Sequence, residues 1–303
     1  MSLKIKNRLL YILYIIFYNV FKIVPKKISK KLIDVFAFLA YRLLKKRYKV
    51  SMSNLNLVYG NKKNLEEKNK IILNSYKILG YNMFELLENQ SLSKDEILKK
   101  ANFKNPEIIQ KALNRKKQII FVTAHYGGWE LTLPATALFF DMRIGVVNKK
   151  MQNPHLQKVY AKARKKNNIT PIDKNNSAKG MLKTLRSNNQ VAIVIDQYTD
   201  NGCKINFLGI DEIATDAVAR LAIKLNALII PILTTKNEFR KYEITIYDAI
   251  NPEDFKDNDK IYNITKLQND IIATQIFKDP DPWLWQHKRF RTYHSDIYSK
   301  EQI

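Results

Sequence analysis

Apolar positions in this chain change period along its length. From Leu9 to Phe21 (Leu-Leu-Tyr-Ile-Leu-Tyr-Ile-Ile-Phe-Tyr-Asn-Val-Phe) the chain carries no charge, and Arg8 and Lys22 bracket the run. A helix of that length rises only about 20 Å, against a hydrocarbon core of about 30 Å. It is short for a full span unless Ile23 and Val24 join it and the flanking Lys and Arg snorkel. Its many tyrosines suit an interfacial position. No small-x-small site follows, which argues against a cleaved signal peptide. A buried amphipathic first helix is the alternative reading of the same pattern. A second amphipathic stretch, Leu32 to Leu44, follows Pro25 and a basic cluster from Lys26 to Lys31. The two together predict a basic, membrane-facing platform.

After the platform the pattern turns to alternating helix and strand. Leu65 to Leu87 and Pro106 to Leu113 have helical spacing, and Ile119 to Thr123 is an apolar run too short for a helix. Leu131 to Phe140 reads as helix, Ile144 to Val147 as strand, and Pro154 to Lys166 and Ser177 to Arg186 as helices. Val191 to Ile195 is a strand ending at Asp196-Gln197, and Ala214 to Leu225 a helix. Leu228 to Leu233 is a strand with Tyr242 to Ile246 as its antiparallel neighbour. Ile261 to Phe277 is a last helix, stopped by Pro280 and Pro282. This alternation predicts an α/β fold, a mostly parallel sheet covered by helices on both faces. No internal repeat, low-complexity linker or later domain boundary interrupts it.

Composition narrows the partners only slightly. The 303 residues, 46% hydrophobic, suffice for a full core. Net charge is +24, and 41 of the 52 basic residues are Lys. Such a balance favours anionic partners: phospholipid headgroups, an acidic carrier protein or nucleic acid. Part of the excess is compositional drift, because Lys, Asn and Ile are abundant together. The single cysteine, Cys203, excludes an intrachain disulfide and a cysteine-based zinc site. The histidines at 125, 155, 287 and 294 show no metal-ligand spacing.

Candidate chemistry centres on His125-Tyr-Gly-Gly-Trp129-Glu130, directly after the Ile119 strand. Strand carboxyl ends are where open α/β sheets bind ligands. Five residues do not bring two side chains onto one helix face. Glu130 meets His125 only if Gly127-Gly128 folds the chain back, as glycine permits. The pair then reads as a general base and the carboxylate that orients it; an ordinary interior histidine is the bland alternative.

The His-x4-Glu block resembles the motif of the late lipid A acyltransferases, the lauroyl/myristoyl transferases of the wider His-x4-Asp/Glu acyltransferase group. Further stretches fall in that family's order. Lys149, Asn153-Pro154 and Arg164 match its basic residue, Asn-Pro and later Arg, although the family has Arg where Lys149 stands. Asp196-Gln197 matches its Asp-Gln. Phe207-Leu-Gly209 and Ala214-Thr215 match its aromatic-x-Gly and Ala-Thr, while Thr215 also reads as a helix N-cap. Trp283-Leu-Trp285-Gln-His287-Lys288-Arg289-Phe290 matches its carboxyl-terminal run.

The resemblance implies transfer of a fatty acyl chain from acyl carrier protein to a hydroxyl of a 3-hydroxyacyl chain on a lipid A precursor, at the cytoplasmic face of the bacterial inner membrane. His125 and Glu130 would be catalytic. Gly127, Gly128, Trp129, Lys149, Asn153, Arg164, Asp196, Gln197, Phe207, Gly209 and Thr215 would contact substrates, Lys149 and Arg164 through phosphate. No metal or redox cofactor is implied. Residues 1–24 would be the membrane anchor and 25–303 the acyltransferase domain. A lysophosphatidic acid acyltransferase is the nearest rival, but no Pro-Glu-Gly-Thr block is present. A basic nucleic-acid-binding protein would explain the charge, but neither the apolar amino terminus nor the His125 block, and no binding module is recognisable.

Overall fold

A computed structural model describes residues 3–148, 150–256 and 258–299, the side chains of 3, 4, 21, 22, 26, 236 and 237 excepted. Four helices lead: α1 (Leu3–Ile23), α2 (Lys26–Leu43), α3 (Lys45–Tyr59) and α4 (Leu65–Glu88). Pro25 separates the first two, since the residue before a proline is steered away from helical backbone. Asn64 and Glu67 close a reciprocal capping box at the start of α4, and α2 lies along α4.

The body then alternates: α5 (Lys94–Leu98), β1 (Ala101–Lys104), α6 (Glu107–Asn114), β2 (Ile119–Thr123), α7 (Trp129–Phe139), β3 (Ile144–Asn148) and α8 (Pro154–Lys166). It continues with β4 (Ile169–Asp173), α9 (Ser177–Arg186), β5 (Gln190–Val194), β6 (Cys203–Phe207) and β7 (Ile210–Ala214). It closes with α10 (Ala217–Leu225), β8 (Leu228–Glu238), β9 (Lys241–Ile246) and α11 (Lys260–Lys278).

Seven strands form one sheet in the order β1-β9-β8-β2-β5-β3-β4. Strands β8, β2, β5, β3 and β4 run parallel, while β9 is antiparallel to β8 and carries β1 parallel to itself. The expected α/β architecture and the antiparallel Tyr242–Ile246 neighbour are both present. Every residue of β2 is buried, as a central parallel strand requires. Its alternate residues feed two cores. Ile120 and Val122 join Leu185, Val218 and Ile272 on one face. Ile119 and Phe121 join Ile109, Leu133 and Ala137 on the other.

Five elements go beyond those that the apolar pattern predicts: α3, α5, β1, β4 and the β6–β7 hairpin. Strands β1 and β4 sit at the two sheet edges, where short, polar or proline-bearing segments are tolerated because one side needs no partner; β4 carries Pro171. The helix expected from Ala214 begins at Ala217, because Ala214 ends β7 opposite Cys203.

From β2 the chain crosses through α7 to β3, beyond β5. From β5 it returns through the hairpin and α10 to β8, on the other side of β2. The carboxyl ends of β2 and β5 therefore flank a crevice of the kind that holds ligands in α/β sheets.

Candidate active site

The site is built from strand register. Thr123 of β2 lies opposite Val194 of β5, so two more residues along each strand set His125 beside Asp196. The contact is double. The His125 backbone N–H donates to Asp196 Oδ2 at 2.9 Å, and the ring Nδ1 lies 3.0 Å from Oδ1. The indole Nε1–H of Trp283 also donates to Oδ2, at 2.9 Å. An ionised carboxylate only accepts, so Nδ1 carries the proton and Nε2 of the neutral ring presents a lone pair. Nε2 faces the open side, 3.4 Å from Gln197 Nε2.

Burial alone would push the imidazole pKa down. The Asp196 carboxylate, by charge and by hydrogen bond, and then the charge of Glu130 outweigh it and raise the ring above its ordinary value. Burial likewise pushes Asp196 up, but the His125 charge and the donors from His125 and Trp283 hold it below its ordinary value.

The loop after His125 is held by three other parts of the chain. Gly127 has φ of 60°, the left-handed backbone that glycine adopts without strain, and its N–H donates to Pro282 O at 3.1 Å. The Leu284 N–H donates to His125 O at 3.1 Å, and Tyr126 and Trp283 form a short antiparallel bridge. On the α4 side Asn82 clamps both ends of the turn. Its Nδ2 donates to Gly127 O at 2.7 Å, and its Oδ1 accepts from Glu130 N at 3.0 Å. A Cβ at Gly128 would lie 2.9 Å from the Tyr242 ring. That ring is itself fixed, since its hydroxyl donates to buried Glu85 at 3.0 Å and Glu85 pairs with Lys100 at 2.8 Å.

Several expected site residues converge. Trp129 sets its ring edge-on to the His125 imidazole, 5.6 Å between centroids. Asp196 and Gln197 both touch His125. The role expected of Glu130 is corrected by the geometry. The ring's hydrogen bond goes to Asp196, and the Glu130 carboxylate instead meets Arg164 Nη2 at 3.4 Å. Glu130 stands in the first turn of α7, from which its carboxylate reaches α8. Arg164, expected to meet phosphate, therefore already has a carboxylate partner, and its guanidinium lies over the Tyr160 ring at 4.7 Å.

Other expectations resolve into structural roles. Asn153 Oδ1 caps α8 by accepting from His155 N and Leu156 N, and its Nδ2 donates to Asn7 O of α1 at 2.8 Å. Both ends of that amide are committed. Phe207 is fully buried against Trp283 and Arg289, not at a substrate surface. Leu208 and Gly209 both have positive φ, at 55° and 82°, as a two-residue hairpin turn demands. The N-cap of α10 is Asp216, without a side-chain cap bond; the Thr215 hydroxyl accepts weakly from Ala217 N at 3.4 Å. The Gly127 amide is spent on Pro282 and cannot serve an oxyanion. Lys149 lies outside the described residues.

Three contributors were not foreseen. Asn82 is a polar residue on the buried face of α4, and that burial was its only signal. Trp283 belongs to the carboxyl-terminal run but had no role. His287, two residues past Trp285, is half-buried near His125. Burial first, and then the charges of His125, Arg289 and Arg47, hold its imidazole below the ordinary value, with Asp196 opposing.

A strand-end histidine fixed by a buried carboxylate, in a largely parallel sheet, defines an α/β protein with a poised general base. The particular family follows from comparison. The family model described as bacterial lipid A biosynthesis acyltransferase matches residues 1–292. The chain is 22% identical over 258 residues to the lipid A biosynthesis palmitoleoyltransferase of Escherichia coli (strain K12), covering 84% of this chain and 82% of that one. It is 22% identical over 271 residues to the lauroyltransferase of the same organism, covering 86% and 85%. A lipid A biosynthesis acyltransferase of Haemophilus influenzae is 27% identical over 187 residues, covering 59% and 57%. The chain belongs to the bacterial lipid A biosynthesis acyltransferase family. Among solved structures, the 1-acyl-sn-glycerophosphate acyltransferase PlsC from Thermotoga maritima superposes with a TM-score of 0.39 at 11% identity, over 83% of this chain and 99% of that one; a likeness so distant decides nothing.

Proposed function

We propose that this acyltransferase moves a fatty acyl chain from acyl carrier protein to a hydroxyl of a 3-hydroxyacyl chain on a lipid A precursor, with His125 as general base. The observation that carries this reading is the double grip of Asp196 on His125, which fixes the tautomer with Nε2 as the free base. The acceptor hydroxyl is a weak nucleophile. As its oxygen attacks the thioester carbonyl, Nε2 takes its proton. Asp196 stabilises the imidazolium that forms. The tetrahedral intermediate collapses, the carbon–sulfur bond breaks, and the imidazolium returns its proton to the departing thiolate. The reaction balances without a metal or redox cofactor. Donors for the oxyanion come from the amino-terminal end of α7, where backbone N–H groups lack helical partners. Gly128 and Trp129 are the candidates there, and Trp129 helps shape the donor side.

The same reading assigns membrane association to α1 and α2. No helix among the described residues is long and apolar enough to cross a membrane. Both helices expose apolar side chains, Ile23 at 82% and Leu43 at 72% among them. Phe17, Phe36, Leu44 and Met83 line an apolar groove of about 330 Å³ between α1, α2 and α4. Lys27, Lys30 and Lys31 stand exposed near the start of α2. The arrangement supports an interfacial enzyme whose partners are acyl carrier protein, membrane phospholipid and the glycolipid acceptor, not nucleic acid, at the cytoplasmic face of the inner membrane.

The test is a transfer assay with purified full-length protein, an acyl-carrier-protein thioester and two acceptors in mixed micelles, a lipid A precursor and lysophosphatidic acid. Transfer to the glycolipid, lowered roughly two to four orders of magnitude in His125→Ala, is expected. Transfer to lysophosphatidic acid alone would contradict the acceptor assignment.

A further inference from the structure

Four cations from two distant parts of the chain lie near enough for three of them to act on the fourth, Lys288. Lys46 and Arg47 stand in the first turn of α3, Lys288 in the carboxyl-terminal run and Arg291 just past it. Arg47 Nη1 donates to Gln286 O at 3.3 Å, which ties the two segments together. Lys288 Nζ donates to Tyr298 O at 3.3 Å. The Arg291 guanidinium lies over the Tyr198 ring, 5.4 Å from its centroid. Among the described residues no carboxylate lies within ion-pair distance of any of the four. Burial first, and then the charges of Lys46, Arg291 and Arg47, hold the Lys288 ammonium below its ordinary value. Like charges gathered without a counter-ion repel one another, and an anion would relieve that repulsion.

The position of the cluster restricts what the anion can be. On one side Tyr198 follows Gln197, whose amide lies 3.4 Å from His125 Nε2. Asn54 of α3 donates to the carbonyls of Trp285 and His287, each at 2.8 Å, fixing the carboxyl-terminal run against α3. The end of α2 and the residue that joins it to α3 expose Leu43 and Leu44, directly before the cations in the chain. The cluster thus lies between an apolar helix end and the catalytic base. An amphiphile with a phosphate fits that order: chains toward α2, phosphate on the cations, hydroxyl toward His125. Arg fits a phosphate through two parallel donors. An acidic protein would satisfy the charge but would have no use for the apolar edge.

We propose that Lys46, Arg47, Lys288 and Arg291 form a site for the phosphomonoester headgroup of the lipid acceptor. The proposal rests on the glycolipid-acceptor reading and adds to it the group that anchors the acceptor. It also supplies the phosphate contact that Arg164, paired with Glu130, does not.

Two arms test it in the full-length protein. In flotation, phosphatidylcholine vesicles doped with phosphatidic acid are compared with vesicles doped with phosphatidylserine at matched surface charge. The wild type should prefer phosphatidic acid by roughly tenfold. Lys288→Gln with Arg291→Gln should lose that preference, and Lys288→Arg should keep it. In kinetics, the double variant should raise KM about tenfold for the phosphorylated acceptor, without raising it for the same acceptor stripped of phosphate. An unchanged preference for phosphatidic acid in the double variant would overturn the site. A raised KM for the acyl carrier protein with acceptor KM unmoved would overturn it too, by making the patch a protein dock. Competition by inorganic phosphate with the acceptor KM unmoved in the double variant would reassign the cluster to free phosphate. Should no acceptor be acylated at all, the acceptor reading fails while flotation still decides the cluster.

Discussion

Asp196 holds His125 at the ring and at the backbone, and this small grip sets the chemistry and its pH dependence. On the proposed mechanism His125 acts as the base when neutral, and its pKa lies above the ordinary 6.5. The rate should therefore rise with pH through a midpoint above 6.5 and level off beyond it. In Asp196→Asn the largest influence raising the ring is gone, so the midpoint should move down and the plateau fall; a pH–rate profile of both proteins checks this. Stability follows the same pair. The raised His125 pKa gives a contribution complete below 6.5 and lost as pH rises through the folded-state value. The depressed Asp196 pKa gives one present above 3.8 and lost as pH falls through its folded-state value. The pair thus stabilises most between those limits, and Tm against pH should flatten in the Asn variant. Glu130 now belongs to a different pair. Glu130→Gln and Arg164→Gln should each lower transfer, and the double variant should fall little further, since paired groups are not additive; a double-mutant cycle on kcat/KM measures the coupling. Sequence made His125 legible, because a strand-end histidine is visible in a line of residues. It could not show the partner. Asp196 is level with His125 only through the β2–β5 register, whereas Glu130, near in sequence, gives its carboxylate to Arg164.

At the scale of elements, the catalytic loop is a short segment braced by three distant ones, α4, the Tyr242 strand and the carboxyl-terminal run. Asn82 exemplifies the arrangement, since it satisfies Gly127 O and Glu130 N at once. Asn82→Ala should cost about 1–3 kcal/mol, because two backbone groups lose their partner away from water. It should also lower kcat, although no reacting group is removed; a urea melt and a rate measurement check the two halves. The periodic elements could be read because their apolar spacing is regular, and α8 and α9 came out with the observed limits. The edge strands could not, because an edge needs neither continuous apolarity nor every N–H. Phe207, Gly209 and Asn153 were read as contacts because they stand in a motif. The structure gives each a local role instead. Phe207 fills the core, Gly209 turns a hairpin, and Asn153 ties α8 to α1.

At the scale of the whole molecule, a parallel-sheet body with its site at the strand ends adjoins two helices whose outer faces are apolar, with lysines exposed near the start of α2. Val35 and Leu39 of α2 are exposed, so Val35→Glu with Leu39→Glu should leave the fold intact. Burying each side chain in lipid would contribute roughly 1.5–3 kcal/mol, so the double variant should partition to phosphatidylcholine vesicles at least about tenfold less; flotation measures it. The charge of the chain hinted at such a surface without locating it, because drift toward Lys spreads cations over every face. The most direct test of the account is mass spectrometry of lipid A from a strain lacking this protein, complemented with wild type or with His125→Ala at equal membrane abundance. Wild type should restore one missing acyl chain and the variant should not. Restoration by the variant would contradict His125 as the base.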